Sequence, residues 1–196
     1  MTVLVLAPHT DDGQFGCGGT IVRQIEAGYD VIEAAFSFTQ DPQLSEEWRE
    51  ARAVLGIERF YAYDFPVRRF DEHRQEILDK MIDMREDVGP DVVLCPSSYD
   101  THQDHEVIRQ EAFRAFKHSS ILGYELPWNN IEFKPTLFAE LELASLVKKT
   151  DACACFKSQA HRTYASTNYI LAWAQSRGVH VSAQYAEAFE VIRIVL

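Results

Sequence analysis

Two short polar clusters carry the residue types most able to do chemistry. The first lies in LAPHTDDGQFGCGGTI, residues 6–21, and the second in SSYDTHQDHE, residues 97–106; each directly follows an apolar run. Their polar side chains include His9, Asp11, Asp12, His102, Asp104 and His105. Two histidines and one carboxylate are the ligand type of hydrolytic zinc sites that leave one position for water. The residue types therefore predict a metal-dependent hydrolytic site.

Within such a site the residues divide into ligands and groups that move protons. His9, Asp12 and His105 together make a set of two histidines and one carboxylate. Asp11, next to a ligand but free of the metal, could take the proton from the attacking water. His102 could then donate a hydrogen bond to the tetrahedral oxyanion. Because His102 and His105 are three residues apart, the residues alone leave their two roles exchangeable.

Each feature of these clusters has a simpler explanation when it is taken singly. A histidine in a loop is usually solvated, Asp-Asp before Gly is usually a turn or a helix cap, and a Gly-rich turn after a strand is often a nucleotide site. Asp11 and Asp12 would bring negative charge to the place of a phosphate, which disfavours nucleotide binding. A non-hydrolytic nucleotide- or metal-binding α/β protein remains the alternative function.

Strand-like and helix-like segments alternate along the chain and predict what positions the clusters. Apolar runs predict strands at 3–7, 30–38, 59–65, 90–97, 121–126 and 188–196. Helical spacing of apolar residues predicts helices at 18–28, 45–57, 72–88, 104–117, 143–160 and 167–177. The segment TLFAELE at 136–142 stays unassigned.

This alternation predicts an α/β fold, a Rossmann-like and mostly parallel sheet with helices on both faces, in a single domain over 1–196. Ligands of open α/β sheets bind outside the carboxyl ends of the strands. Both polar clusters follow predicted strands, so we expect them to face one crevice. We expect the glycines of the first cluster to let the backbone turn sharply under the metal and to bring the first helix close to its strand.

Charge and hydropathy narrow the class of partner. Thirty acidic and 19 basic residues give a net charge of −11, which argues against a nonspecific hold on nucleic acid. No stretch approaches the roughly 20 apolar residues of a membrane span, and the opening MTVLVLAPH has no basic leader. The sequence therefore predicts a cytoplasmic protein with a small-molecule substrate and reduced cysteines, and it is compatible with a homo-oligomer.

The motifs resemble those of a known family. APHTDDGQFGCGGTI is similar to the P-H-P-D-D-E signature of the PIG-L/LmbE family of zinc-dependent N-acetylglucosaminyl deacetylases, and DTHQDH is similar to its H-x-D-H signature. The tail YAEAFEVIRI and the stretch SQAHRTY also resemble that family. The resemblance implies zinc ligands at His9, Asp12 and His105, a general base at Asp11, an oxyanion stabiliser or amine-protonating group at His102, and a histidine-orienting carboxylate at Asp104.

The reaction implied by this resemblance is hydrolysis of the acetamide of an N-acetylglucosamine or other N-acetylhexosamine conjugate, which releases acetate and a free amino sugar. Zn²⁺ is the implied cofactor, and the same ligand set also suits Fe²⁺. The family acts on very different aglycones, so the aglycone stays open. Thr10 and Gly13 stand where the signature has Pro and Glu. Neither position is a ligand or the base, so we expect only the rim of the site to change.

Three further residues are candidates for substrate binding. Arg68 and Arg69 follow a predicted strand, where a guanidinium could pair with a phosphate or carboxylate on the aglycone; the alternative is a surface pair balancing nearby acids. Trp128 offers a face on which a sugar could stack, and the alternative is a packed loop. We also expect Asp104 or Asp100 to raise the pKa of His102 by stabilising its charged form.

Overall fold

The protein is built on one seven-stranded sheet that lies between two layers of helices. The computed structural model describes residues 1–38 and 41–195. The strands are β1 Thr2–Ala7, β2 Asp30–Ala35, β3 Arg59–Ala62, β4 Val92–Pro96, β5 Ser120–Tyr124, β6 Leu137–Glu140 and β7 Ala186–Arg193. The helices are α1 Asp12–Glu26, α2 Pro42–Leu55, α3 Arg74–Val88, α4 Gln103–Ala115, α5 Leu143–Ala154 and α6 Thr167–Gly178.

The strand order is β3-β2-β1-β4-β5-β7-β6. Strands β1 to β5 run parallel to one another, and β7 runs antiparallel to both β5 and β6. The predicted mostly parallel sheet is therefore confirmed, and β6 falls in the segment that the sequence left unassigned. The predicted last strand extended to residue 196, which lies outside the described residues.

Apolar residues of the central strands alternate between two cores, one on each face of the sheet. Val3 and Val5 of β1 face a core that includes side chains of α1, α2, α5 and α6, whereas Leu4 and Leu6 face a core that includes those of α3 and α4. Successive side chains of a strand point to opposite faces, so a continuous apolar run is buried on both. This is why the short run at 3–7 forms an interior strand of the sheet.

Strand order changes direction at β1, whose two neighbours are β2 and β4. The connection after β1 therefore enters α1 on one face, while the connection after β4 leads to α4 on the other. Loops at such a switch point diverge and leave a crevice at the carboxyl ends of the strands. The two polar clusters follow these two adjacent strands.

Helix α1 begins at Asp12, six residues before the predicted start at 18. Its glycines therefore lie in a helix, not in a sharp turn, and the helix has one non-helical residue at Cys17 (φ −143°, ψ 22°). The glycines permit close packing instead: a Cβ at Gly16 would lie 2.4 Å from the Tyr124 ring, and one at Gly19 would lie 2.5 Å from Leu141 Cδ1. These two contacts are with β5 and with Leu141, whereas towards β1, the strand named in the expectation, a Cβ at Gly13 would lie 3.3 Å from Val5 Cγ1. The glycines thus allow the helix to pack closely on the sheet, but the expected turn is wrong.

Two global features bear on the sequence predictions. All four cysteines are free thiols, as expected. Among helices formed by residues 1–38 and 41–195, none has the length and apolar character needed to cross a membrane.

Candidate metal and catalytic site

The carboxyl ends of β1 and β4 bring the two polar clusters together, as the sequence predicted. His9 is the second residue after β1, and Asp12 is the first residue of α1. His105 lies in the first turn of α4 and is buried, with 2% of its surface exposed. Parallel neighbouring strands place their following loops side by side, so residues 96 positions apart make direct contact.

Three atoms of this cluster have the spacing of ligands around one ion. His9 Nδ1 lies 3.3 Å from Asp12 Oδ2 and 3.2 Å from His105 Nε2. Asp12 Oδ2 and His105 Nε2 are 3.2 Å apart. Two ligands of a tetrahedral ion with bonds of about 2.0–2.1 Å lie about 3.3 Å apart. The donor set and its spacing therefore fit a zinc-like ion.

Distances alone offer a second candidate set. Ring nitrogens of His9, His102 and His105 all lie within 4.8 Å of one another. However, His102 is the N-cap of α4, and its Nδ1 accepts a hydrogen bond of 3.2 Å from the backbone N–H of Asp104. The proton of the neutral ring is then on Nε2, and neither nitrogen offers a free lone pair to a metal. This hydrogen bond favours His102 as a donor.

Two buried aspartates hold the other ring nitrogens of the candidate ligands. His9 Nε2 lies 3.0 Å from Asp104 Oδ2, and His105 Nδ1 lies 2.8 Å from Asp100 Oδ2. Each histidine can thus donate its outer N–H to a carboxylate and keep the inner nitrogen unprotonated for a metal. Asp104 orients a histidine as predicted. Asp100, which was expected only to affect the pKa of His102, orients His105 in the same way.

The electrostatic field of the cluster favours positive charge. Burial lowers the pKa of His9, but hydrogen bonds with Asp104 and Asp12 outweigh it and raise the pKa to about 9. Burial also lowers the pKa of His105, but the charges and hydrogen bonds of Asp12 and Asp100 outweigh it and raise the pKa to about 10. Burial also opposes ionisation of Asp12, yet the charge and hydrogen bond of His105 hold its pKa below the usual range. A divalent cation would replace protons on these two rings.

Asp11 differs from Asp12 in both contacts and electrostatics. Its side chain does not cap α1, is half-buried and lines the cavity in front of the cluster. Burial, assisted by the negative charge of Asp12, raises the pKa of Asp11 to about 6. A carboxylate with a pKa near neutrality is well matched to accept a proton from water.

The expectation of a raised His102 pKa is wrong. Burial lowers the pKa of His102, and the positive charges of His105 and His9 lower it further. The charge of Asp104 does raise the pKa of His102, as expected, but burial and the two histidine charges outweigh it. The hydrogen bonds of the two carboxylates go to other rings, because Asp104 contacts His9 and Asp100 contacts His105. Asp100 also accepts from the backbone N–H of His102 (2.9 Å), not from its ring. The ring is therefore a neutral hydrogen-bond donor.

A cavity of about 610 Å³ opens in front of the cluster, and only one of the two arginines predicted to bind substrate lines it. Arg68 lines this cavity in a left-handed conformation, with φ of 65°. Its backbone N–H donates to Asp104 Oδ2 over 2.7 Å. Arg69 does not line the cavity: its guanidinium is exposed and pairs with Glu72 at 2.6 Å. The surface-pair alternative therefore describes Arg69, and we leave it out of the site.

Trp128 also lines the cavity, but as part of an aromatic cluster. Its ring stacks on Tyr164 with 3.8 Å between centroids and an interplanar angle of 13°, and it makes an edge contact with Phe15. One face of the indole is thus covered, as the packed-loop alternative expects. Tyr164 belongs, with Gln159 and Arg162, to a group of cavity residues that the sequence analysis missed. All three lie in the stretch SQAHRTY, whose resemblance to the family was the only sequence feature that pointed to them.

A close contact with β2 explains why position 13 is glycine where the family signature has Glu. A Cβ at Gly13 would lie 2.5 Å from Glu33 Oε1, a buried carboxylate on β2. Glu33 accepts hydrogen bonds from Gln14 Nε2 (3.0 and 3.1 Å) and from Trp48 Nε1 (2.9 Å). Position 13 therefore faces the sheet and not the rim of the site, which corrects the expectation that only the rim is altered.

Comparison with known proteins identifies the family. Residues 4–116, more than half of the 196, match the model of the PIG-L family, described as GlcNAc-PI de-N-acetylase. The chain belongs to the PIG-L family. This segment contains both polar clusters, and members of the family that are deacetylases use a metal.

Individual relatives of this PIG-L family protein are distant in sequence. Diacetylchitobiose deacetylase from Thermococcus kodakarensis is 27% identical over 139 residues, which cover 63% of this chain and only about half (48%) of that enzyme. The uncharacterized deacetylase YaiS of Escherichia coli is 26% identical over 168 residues, 80% of this chain and 90% of YaiS. The crystal structure of the conserved protein TT1542 from Thermus thermophilus has a TM-score of 0.82 at 23% identity, covering 99% and 95% of the two chains. That likeness shows the fold.

Proposed function

We propose that this PIG-L family protein is a metal-dependent deacetylase that hydrolyses the acetamide of an N-acetylhexosamine conjugate to acetate and a free amino sugar. The observation that carries the proposal is the triangle of His9 Nδ1, Asp12 Oδ2 and His105 Nε2, with sides of 3.2–3.3 Å. Asp11 and His102 line the same cavity beside this triangle. Family membership and deacetylases among the relatives support the same reaction.

His9, Asp12 and His105 would hold the metal, and Asp104 and Asp100 would keep the two imidazoles in the required tautomers. A bound Zn²⁺ or Fe²⁺ would supply a water of lowered pKa and a Lewis acid for the acetamide carbonyl. The negative charges of Asp104 and Asp100 behind the two histidines would help to stabilise a cation at this place.

Two side chains, Asp11 and His102, then handle the protons of the reaction. Asp11 accepts a proton from the attacking water while the water oxygen bonds to the carbonyl carbon. His102, neutral and protonated on Nε2, donates a hydrogen bond to the oxyanion that forms. When the C–N bond breaks, Asp11 returns its proton to the leaving nitrogen, and acetic acid and the amine are released. Because burial lowers the pKa of His102, we assign the amine's proton to Asp11.

The direct test is acetate release by the metal-loaded protein from N-acetylglucosamine and N,N′-diacetylchitobiose. We expect one free amine per acetate, loss of activity with a chelator and recovery with Zn²⁺. Asp11→Asn is the matched control, because it should keep the metal and lose turnover. Stoichiometric metal without acetate from any N-acetylated sugar would favour the alternative of a non-hydrolytic binding protein, and absence of metal binding would refute the site itself.

A further inference from the structure

We infer that the cavity binds an anionic group of the substrate, a carboxylate or phosphate, between Arg68 and Arg162. This inference rests on the proposed deacetylase function and names the class of conjugate that it would accept. Both arginines line the cavity that contains the candidate metal site, and both side chains are solvent-exposed. Neither guanidinium has a carboxylate partner within ion-pair distance among residues 1–38 and 41–195.

The size of the cavity leaves room for such a group. Its volume of about 610 Å³ falls in the range of roughly 300–1,000 Å³ that holds drug-sized ligands, which are larger than one sugar ring. The hydrolytic residues occupy one part of the lining. The remainder includes Ser37, Trp128 and Asn129 together with residues from three segments, 41–44, 67–68 and 159–164. An acetylated sugar at the metal site would thus carry its substituent towards these segments.

Two hydrogen bonds of its backbone hold Arg68 at the cavity. Its N–H donates to Asp104 Oδ2, the oxygen that also contacts His9, and its carbonyl accepts from Gln103 Nε2. A non-glycine residue at φ of 65° is strained and persists only where its surroundings enforce it. The site therefore fixes the position of Arg68 while its charged side chain stays available to a ligand.

Arg162 is presented by a segment that is anchored on both sides. Upstream, Glu47 accepts hydrogen bonds from Ser158 N (2.9 Å) and Ser158 Oγ (2.6 Å). Downstream, Tyr164 stacks on Trp128 at 3.8 Å. Because both ends of the segment are anchored, Arg162 faces the cavity from a defined backbone position. Within residues 1–38 and 41–195, its guanidinium forms no ion pair with a carboxylate.

The charge balance at the cavity favours an anion. The acidic residues in its lining are Asp11, Asp12 and Asp41. A divalent ion held at the metal site would offset the charges of Asp11 and Asp12. Asp41, whose side chain caps α2 by accepting from Gln43 N (2.8 Å), offsets only one of the two arginines. Asp104 and Asp100, whose negative charges also lie at the metal site, contact His9 and His105 and do not line the cavity. Away from the metal site, the charged residues of the lining are therefore two arginines and one aspartate, although the chain carries −11 overall.

Guanidinium groups bind carboxylate and phosphate through paired hydrogen bonds, each worth roughly 1.5–3 kcal/mol when charged. Removing one such contact should lower kcat/KM about 10- to 100-fold for an anionic substrate. A neutral substrate of the same sugar should be affected less than about threefold, because it lacks the charge that the contact recognises.

The test compares acetate release from N-acetylglucosamine, N-acetylglucosamine 6-phosphate and N-acetylmuramic acid, which distinguish a neutral sugar, a phosphate and a carboxylate. The variants are Arg162→Gln, Arg162→Lys and Arg68→Asn; asparagine tolerates the left-handed conformation that position 68 requires. Arg69→Gln is the matched control, since it removes the same charge from the neighbouring residue, whose side chain pairs with Glu72 outside the cavity. We expect selective loss for an anionic substrate in the Arg68 and Arg162 variants and no change in the control.

Binding of the amino-sugar products by calorimetry separates this inference from the proposed function. Glucosamine 6-phosphate or muramic acid should bind the metal-loaded protein more tightly than glucosamine, and Arg162→Gln should remove the difference. If acetate is never released but this preference is found, the deacetylase proposal fails and the anion site stands. Equal efficiency for neutral and anionic substrates, or an equal loss for both in the arginine variants, would overturn the anion site.

Discussion

His102 has two separable duties in this structure, which makes it the most informative residue to change. Its Nδ1 caps α4 by accepting from Asp104 N–H at 3.2 Å, while its Nε2–H is assigned to the oxyanion. His102→Ala removes both duties. His102→Asn removes only the second, because the amide oxygen of asparagine can cap the helix but its side chain does not reach the position of Nε2.

The magnitudes differ for the two duties. Loss of a helix N-cap costs about 1 kcal/mol, or a fall in Tm of roughly 2–4 °C for a chain of this size. Loss of one oxyanion donor lowers kcat about 10²- to 10³-fold. We therefore expect both variants to lose turnover to this extent, and only the alanine variant to lose stability.

Metal content, Tm and kcat measured on the same preparations test this reasoning. Both His102 variants should keep about one metal ion per chain, whereas His105→Asn should lose it. If His102→Asn loses the metal and His105→Asn keeps it, the two roles are reversed. If His102→Asn restores turnover together with stability, the histidine acts through the cap and the oxyanion assignment is wrong.

Three further outcomes follow from contacts near the site. Asp11→Asn should keep the metal and reduce turnover about 10²- to 10⁴-fold, whereas Asp12→Asn should weaken metal binding; equal metal content in the two would contradict this division of roles. Burial raises the pKa of Glu33 from 4.5 to about 8, so the folded state binds the extra proton and loses stability as pH rises between these values. The drop in Tm from pH 5 to pH 8 should be smaller in Glu33→Gln, and an identical drop would refute it. Gly16→Ala should destabilise the fold by about 1–3 kcal/mol in urea unfolding, because its Cβ would lie 2.4 Å from the ring of Tyr124; an unchanged midpoint would show that the ring moves aside.

Sequence reasoning was most successful where the physical cause is local. Continuous apolar runs are buried on both faces of a sheet, so the strand at 3–7 and the alternation with helices predicted the sheet correctly. The chemistry-bearing residue types and the strand ends after which they lie also predicted that His9 and His105 would meet.

Segments whose conformation depends on distant partners were predicted less well. Helical periodicity was extended to 160, but α5 ends at Ala154, and the chain then follows contacts with Glu47 and Trp128 that place Gln159, Arg162 and Tyr164 at the cavity. These contacts join residues up to 111 positions apart. No local propensity encodes such contacts.

The sequence by itself determined the fold class, the two polar clusters and the donor types available for a metal. Only the tertiary structure decided how these side chains pair: Asp104 with His9, Asp100 with His105, and the Nδ1 of His102 with a backbone N–H. The reason is physical, because the tautomer and pKa of an imidazole depend on which group lies within about 3 Å of each ring nitrogen. Spacing along the chain leaves that choice open, and the contact of the first turn of α4 with the loop after β1 makes it.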